Sequence, residues 1–347
     1  MRRQRLLDNG ASDIDVQKII DRDEGEVMTF GQKTRKVFVG SDVFFCNDQK
    51  EDELERRIKR FLDIIFDSHI HTPTRDEAAM YKASSAAAKS ACMSRQVGAS
   101  IFSDKGELIS VGWNDVPKFG GSLYSEDDQS TWNTNAGAVL DKDHRCFKWE
   151  QKICHNEIRK KNIANDIAIK IEKAKLLKRG KNASDIMSAL SGTEIESLIE
   201  FSRSIHAEME AILAVAREGR HSLVGATLYT TTYPCHNCAR HIVASGIKAV
   251  YYIEPYAKSL ATPLHSDAIS ENPLHTDKVI FRQYDGIAPR NYHRLFRPNT
   301  ERKLHGRLNV KNRKTSVPVF RIPLDSPVEY EAKVIADLDE KEHNKAD

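Results

Sequence analysis

His206-Ala207-Glu208-Met209 and, about 25 residues later, Thr231-Thr232-Tyr233-Pro234-Cys235-His236-Asn237-Cys238-Ala239 are the stretches from which this chain is best read. One imidazole and two thiolates form a soft-to-borderline ligand set that suits zinc, and three protein ligands leave the fourth tetrahedral position open. An open position marks a catalytic metal rather than a structural one. Glu208 stands two residues beyond His206, too close to chelate beside it and near enough to move a proton at that position. Met209, Ile212, Leu213 and Ala216 recur at helical spacing behind it. Pro234 opens, and Gly246 closes, a second helix over Cys235 to Ser245. Both metal-bearing segments therefore sit where helices begin, and the partial positive charge there favours thiolate at Cys235 and Cys238.

A lone C-x-x-C also reads as half of a zinc ribbon or as a redox pair. The ribbon needs a second closely spaced pair, which the chain lacks. The redox pair leaves His206 and Glu208 unexplained.

The 347 residues are 40% hydrophobic, enough for one large domain or two ordinary ones. Charged residues make up 30% and nearly balance at +3, which argues against a whole-chain commitment to nucleic acid or membrane. No apolar run is long enough to span a bilayer, and the basic start, Met1 to Arg5, lacks the apolar core of a signal peptide. Six cysteines in a chain of this length suit reduced thiols. The expected compartment is the cytoplasm. No Gly-x-x-x-x-Gly-Lys-Ser/Thr loop occurs, so ATP binding is not expected.

Along the chain, a strand-like run is expected from Val37 to Phe45, then a helix between Asp48 and Ile70 with Leu54, Ile58, Phe61, Leu62, Ile65 and Phe66 on one stripe. A helix from Thr74 to about Ser94 follows, opened by Asp76 and Glu77. Val97 to Phe102 and Leu108 to Trp113 read as a hairpin around Ser103-Asp104-Lys105-Gly106. Residues 115 to about 200 read as an insertion with at least one helix between Glu150 and about Arg179, because so long a structureless loop does not fit a compact domain. After the His206 helix come a strand at Ala226 to Thr231, the Cys235 helix, a strand at Lys248 to Ile253, a short helix at Pro255 to Ala261 and a weak strand at Val279 to Phe281. This order implies an α/β fold, a mixed sheet with helices on both faces.

The metal motif matches the H-x-E…P-C-x-x-C signature of zinc nucleobase deaminases. With Gln96-Val97-Gly98-Ala99 and Gly112-Trp113-Asn114, it resembles the blocks of the deoxycytidylate deaminase family over roughly residues 74 to 255. The resemblance implies a three-layer α-β-α cytidine deaminase-like fold and zinc-dependent hydrolytic deamination of dCMP, dCTP or both to dUMP or dUTP. It implies a homo-oligomer, dimer or hexamer, under control of a deoxynucleoside triphosphate effector. By it His206, Cys235 and Cys238 hold zinc, Glu208 is catalytic, Asn114 binds the deoxyribose hydroxyl, Tyr233 lines the base pocket and Ala207 offers a backbone group to the base. Asn114 as a turn cap and Tyr233 as core are the competing readings. Glu210 stands where relatives often carry Asn. The resemblance also implies a second, structural zinc drawn from Cys92, His144, Cys146, Cys154 and His155; free cysteines and surface histidines are the alternative.

Tyr252 to Leu260 and Phe281 to Phe296, with Asp285-Gly286-Ile287-Ala288-Pro289-Arg290, look like the C-terminal blocks of bacterial anti-phage deoxycytidylate deaminases. In that group a P-loop kinase-like domain precedes the deaminase. Residues 1 to about 45 resemble the end of such a domain without its phosphate loop, as in a truncated form or a natural short variant. The expected division is 1–70 as this remnant, 71–298 as the zinc-dependent deaminase domain with its insertion, and 299–347 as a tail. Depletion of the dC nucleotide pool against phage is the implied role. Two rivals stand beside it: a deaminase of a base in tRNA or single-stranded nucleic acid, and a non-catalytic nucleotide sensor on the same scaffold. Near-neutral charge favours the free nucleotide over the polymer. From Arg290 to Lys314 nine cations face Glu301 as the only acid, a run that suits phosphate binding or a solvated surface.

Overall fold

Thr74 accepts a hydrogen bond from the Glu77 backbone while the Glu77 side chain accepts from Thr74, a capping box that opens a helix at Arg75. The computed structural model in which this is seen describes residues 34–47, 51–128, 151–256, 259–298 and 300–309. It also describes 6–7, 10–12, 14–16, 18–19, 131–133, 135, 137–140, 142–149, 311, 316–319 and 335. Much of the expected kinase remnant and of the 299–347 tail lies outside these residues.

Two units divide the chain, one of Met1–Leu54 with Pro73–Tyr292 and one of Glu55–Thr72 with His293–Asp347. In the first unit α1 (Thr34–Gly40) precedes β1 (Val43–Phe44). The strand expected over Val37 to Phe45 is thus mostly helix: a short apolar run has no decisive period, and Phe38 stacks on Phe44 at 5.9 Å. Helix α2 (Glu51–Ile65) leads on, and α3 (Arg75–Ala87) ends earlier than expected. Distant partners take over there. Ser90 donates to the Asn114 carbonyl, the Ala91 N–H to Asp115 and the Gln96 amide to the Ser90 carbonyl.

β2 (Gly98–Phe102) and β3 (Leu108–Trp113) form the expected hairpin. The insertion then carries a small hairpin, β4 (Thr131–Asn133) and β5 (Ala138–Leu140), and two helices, α4 (His155–Lys173) and α5 (Ala183–Leu190). Next come α6 (Ala207–Glu218), β6 (Thr227–Thr232), α7 (His236–Ala244) and β7 (Ala249–Glu254). The short helix α8 lies at Ala261–Leu264, just beyond the span expected for it, and is followed by β8 (Ile269–Ser270) and β9 (Val279–Gln283). β10 (Gly286–Ile287) pairs with β1.

The main sheet runs β3-β2-β6-β7-β9-β8. β2 is antiparallel to both its neighbours, while β6, β7, β9 and β8 are parallel, with α7 as the crossover from β6 to β7. Alternation along the strands assigns the layers. Ser100 donates to Ala79 of α3, and a Cβ at Gly98, two residues away, would lie 2.0 Å from the Ala83 carbonyl oxygen. Ser110 donates to Ala211 of α6, and a Cβ at Gly112 would lie 2.2 Å from the Ala207 carbonyl oxygen. Ala99 opposes Gly112, so α3 and α6 cover opposite faces. One core joins Ala99, Ile101, Leu228, Val250 and Phe281 to α6 and α7; the other joins Tyr229, Ile253 and Tyr284 to α3 and Phe44. The three-layer α-β-α arrangement with a mixed sheet is the architecture expected from the sequence.

In the second unit, the later residues of α2 meet α9 (Tyr292–Phe296, from His293 on), and β11 (Lys303–Leu304) pairs with β12 (Arg307–Leu308). Arg60 bonds the Thr72 carbonyl at 2.9 Å and lies over the Phe296 ring. No helix among the described residues is long and apolar enough to cross a membrane.

Candidate active site

His206 is the N-cap of α6 and Cys235 the N-cap of α7, so two helix starts converge at the end of β6. Cys235 Sγ and Cys238 Sγ each lie 3.3 Å from His206 Nδ1. Among the described residues these three form the one group whose His, Cys or carboxylate atoms could hold a metal, all within 4.8 Å of one another. Zinc at its usual bond lengths sets neighbouring S and N ligands roughly 3.5 Å apart, so the donor set fits zinc in spacing and in chemistry. The Cys238 N–H donates to Cys235 Sγ at 3.4 Å. Hydrogen bonding from Cys238, with further help from His206, outweighs burial and brings the Cys235 thiol down to about 4. Cys238, bonded to that sulfur and fully buried, is pushed well above its ordinary value. For His206, burial acts downward but the Cys235 contact prevails and raises the imidazole. The three groups thus share protons that a divalent cation would displace.

Glu208 is 4% exposed, and burial raises its carboxyl above the usual carboxylate range. The Cys238 thiol donates to its Oε2 at 3.4 Å. Thr230 Oγ1 lies 3.3 Å from its Oε1 and 3.2 Å from the Thr232 carbonyl, so this hydroxyl holds the side chain from the neighbouring strand. Thr230 has no motif around it that singles it out in the sequence. Glu210 points elsewhere, into a 2.5 Å ion pair with Arg217.

His206, Glu208 and Cys235 open on a cavity of about 340 Å³ that also reaches Asn114, Ala207, Tyr233, Arg95 and Tyr256. Asn114 is buried, and its amide braces the preceding loop: Oδ1 accepts from Val97 N and Nδ2 donates to the Arg95 carbonyl, each at 2.7 Å. Tyr233 offers the cavity its ring, since its hydroxyl meets Thr262 at 2.8 Å and Glu271 at 3.3 Å. Burial pushes that phenol up to about 12. Arg95, beside the Gln96 to Ala99 block, lies 4.0 Å from Glu254 and over the Tyr256 ring. The insertion supplies Asn156, Ile199, Ser202 and Ser204 as a wall. Polar residues in a long insertion carry no sequence signal of that role.

The five residues expected around a second metal are not gathered into one set. His144 faces the Tyr124 ring and His155 the Trp149 ring. Cys146 lies near enough to Cys92 and Cys154 for their charges to act on it, and burial raises its thiol. Cys154 Sγ is 3.6 Å from Ser94 Oγ.

Residues 73–254, more than half of the chain, match the model of the cytidine and deoxycytidylate deaminase zinc-binding region. The chain belongs to this deaminase family. Among similar proteins, deoxycytidylate deaminase of Enterobacteria phage T4 is 53% identical over 55 residues, 16% of this chain and 28% of the relative. ComE operon protein 2 of Bacillus subtilis (strain 168) is 48% identical over 63 residues, 17% of this chain and 33% of the relative. The matched stretch therefore spans a third or less of these relatives' length. The crystal structure of dCMP deaminase from the cyanophage S-TIM5 in complex with dCMP and dUMP aligns with 62% of this deaminase-family chain and 99% of its own, at 18% identity and a TM-score of 0.33.

Proposed function

We propose that this chain hydrolytically deaminates a free deoxycytidine nucleotide, dCMP foremost, with zinc on His206, Cys235 and Cys238. The observation that carries this reading is the cavity. It joins a zinc-type donor set, a buried carboxylate and Arg95 in a space at the small end of ligand pockets, about right for one nucleotide. Zinc bound there would bring the pKa of a water molecule toward neutrality and so supply the nucleophile. Glu208 then does the proton work: its carboxylate takes a proton from the water, passes it to the ring nitrogen beside the reacting carbon, and assists departure of the amine as ammonia. Thr230 keeps that carboxylate in one orientation. The Tyr233 ring packs on the base, and Ala207, at the start of α6, offers its backbone to it. Arg95 meets the 5′-phosphate, a contact that a free nucleoside lacks. Asn114 holds the Arg95 to Val97 backbone in place and reaches the sugar hydroxyl.

Incubation of the zinc-loaded chain with dCMP, dCTP, CMP, cytidine and an oligonucleotide, reading uracil product by mass, tests the proposal. Product from dCMP is expected, and none from Glu208→Ala. A Glu208→Ala protein that keeps zinc and full activity would overturn it. Ammonia release excludes a pure sensor, and product from the oligonucleotide alone favours the polymer-directed alternative.

The same contacts admit the α-phosphate of dCTP, so dCTP is the second substrate of this reading. Depletion of dC nucleotides in phage-infected cells is its biological use, and normal pools in expressing cells would remove it. A cytoplasmic homo-oligomer with a triphosphate effector completes the proposal; light scattering with and without dCTP tests both. A second zinc drawn from Cys92, His144, Cys146, Cys154 and His155 rests on the family resemblance alone, since among the described residues only His206, Cys235 and Cys238 form a metal-type set. Metal analysis is then expected to return two zinc ions per chain, and one would remove it.

A further inference from the structure

The second unit holds a cavity of about 440 Å³, larger than the catalytic one, that the deaminase reading leaves unused. Every residue lining it belongs to that unit. Its floor is apolar, with Ile64 4% and Leu295 6% exposed, and the exposed side chains of Ile70 and Leu308 extend the apolar lining toward solvent. Its rim is cationic. Arg297 and Arg302 come from the basic run that follows α9, and neither has a carboxylate partner among the described residues. Lys311 also lines the cavity but is paired with Asp67, so these two charges cancel. Glu301 is the remaining acid on the rim, set against two guanidinium groups.

Polar side chains complete the wall. Ser68, Thr300 and Asn309 line it while donating to Asp63, Asp67 and the Glu301 carbonyl, and the buried Nε2 of His71, without a hydrogen bond among the described residues, stands 3.6 Å from Asp63. His69 is occupied with Asp63 at 3.1 Å. A pair of guanidinium groups recognises phosphate oxygens by parallel N–H contacts. An apolar floor beneath them favours an organic group attached to that phosphate, since a small-molecule site combines apolar lining with a few placed polar groups.

We propose that this cavity binds a phosphorylated organic anion of about mononucleotide size, its phosphate on Arg297 and Arg302 and its apolar part over Ile64, Ile70, Leu295 and Leu308. The site is separate from the zinc-type cavity in its lining residues and needs no turnover to be detected.

Calorimetric titration of the full chain with AMP, inorganic pyrophosphate and adenosine tests this. AMP is expected to bind saturably, pyrophosphate more weakly, and adenosine at least tenfold more weakly than AMP. Arg297→Ala/Arg302→Ala is expected to weaken AMP at least tenfold, while Arg95→Ala leaves AMP binding unchanged and Glu301→Lys tightens it. Both arginines are exposed, and a thermal melt identifies any variant that fails to fold; Glu301→Lys then carries the test. Absence of saturable AMP binding overturns the proposal. So does an Arg297→Ala/Arg302→Ala variant that binds AMP like the parent, or loss of binding in Arg95→Ala, which would place AMP in the catalytic cavity.

Discussion

Gly112 and the carbonyl of Ala207 approach so closely that a Cβ at Gly112 would stand 2.2 Å from the Ala207 oxygen and 2.5 Å from the Ala211 nitrogen. This contact lets the first turn of α6, with His206 and Glu208, settle against β3. The obstacle is backbone, which cannot swing aside as a flexible side chain could. Gly112→Ala is expected to destabilise the chain by about 1–3 kcal/mol and to lower zinc content and dCMP turnover together. Gly98→Ala meets α3 on the opposite face at 2.0 Å, and is expected to cost similar stability while sparing zinc affinity of the folded fraction. Thermal melts with metal analysis check both.

Thr230 acts on Glu208 from β6, through one hydroxyl 3.3 Å away. Removing a hydrogen bond to a charged group costs about 1.5–3 kcal/mol. Thr230→Val is therefore expected to lower kcat by roughly ten- to a hundredfold, with KM for dCMP little changed and zinc retained. Glu208→Gln is expected to lose about 10²–10⁴ in kcat as a general acid–base group. Steady-state kinetics on metal-loaded protein decide between these outcomes and a purely structural role for Thr230.

Arg95 divides nucleotide from nucleoside. Arg95→Ala is expected to raise KM for dCMP by about tenfold or more, the scale of one charge-assisted contact. Turnover of deoxycytidine, which has no phosphate to lose, is expected to change little. Parallel kinetics on the two substrates measure the difference.

Asp143 and Arg145 form a buried ion pair at 2.7 Å inside the insertion. Burial works to raise Asp143, but the hydrogen bonds from Arg145, with help from Lys148, outweigh it and bring the carboxyl to about 2 from an ordinary 3.8. A carboxylate depressed on folding stabilises the fold above its unfolded pKa and loses that contribution as pH falls through the folded value. The contribution, about 2 kcal/mol, is thus fully present at neutral pH and fades between pH 3.8 and about 2. Trp149, with the Arg203 guanidinium 3.7 Å above its ring, reports the region by fluorescence. An acid transition in that window is expected for the parent, and Asp143→Asn is expected to lack it while being less stable at pH 7.

By itself the sequence determined what depends on near neighbours along the chain. His206, Glu208, Cys235 and Cys238 could be picked out because their chemistry lies in two short motifs at helix starts, and Asp76 and Glu77 announced the helix after Thr74 as acids in its first turn. The β2–β3 hairpin and the strands flanking α7 were legible for the same reason, whereas β8, two residues long, has no pattern to read. Tertiary structure alone decided the rest, because contacts through space leave no periodicity behind. It brought Thr230 to Glu208, turned the Tyr233 hydroxyl toward Thr262 and Glu271, engaged the Asn114 amide with Arg95 and Val97, and made a wall from Asn156, Ile199, Ser202 and Ser204. It also folded Arg297 and Arg302 over an apolar floor, which changes a charge run on paper into a cavity rimmed by two guanidinium groups that have no carboxylate partner among the described residues.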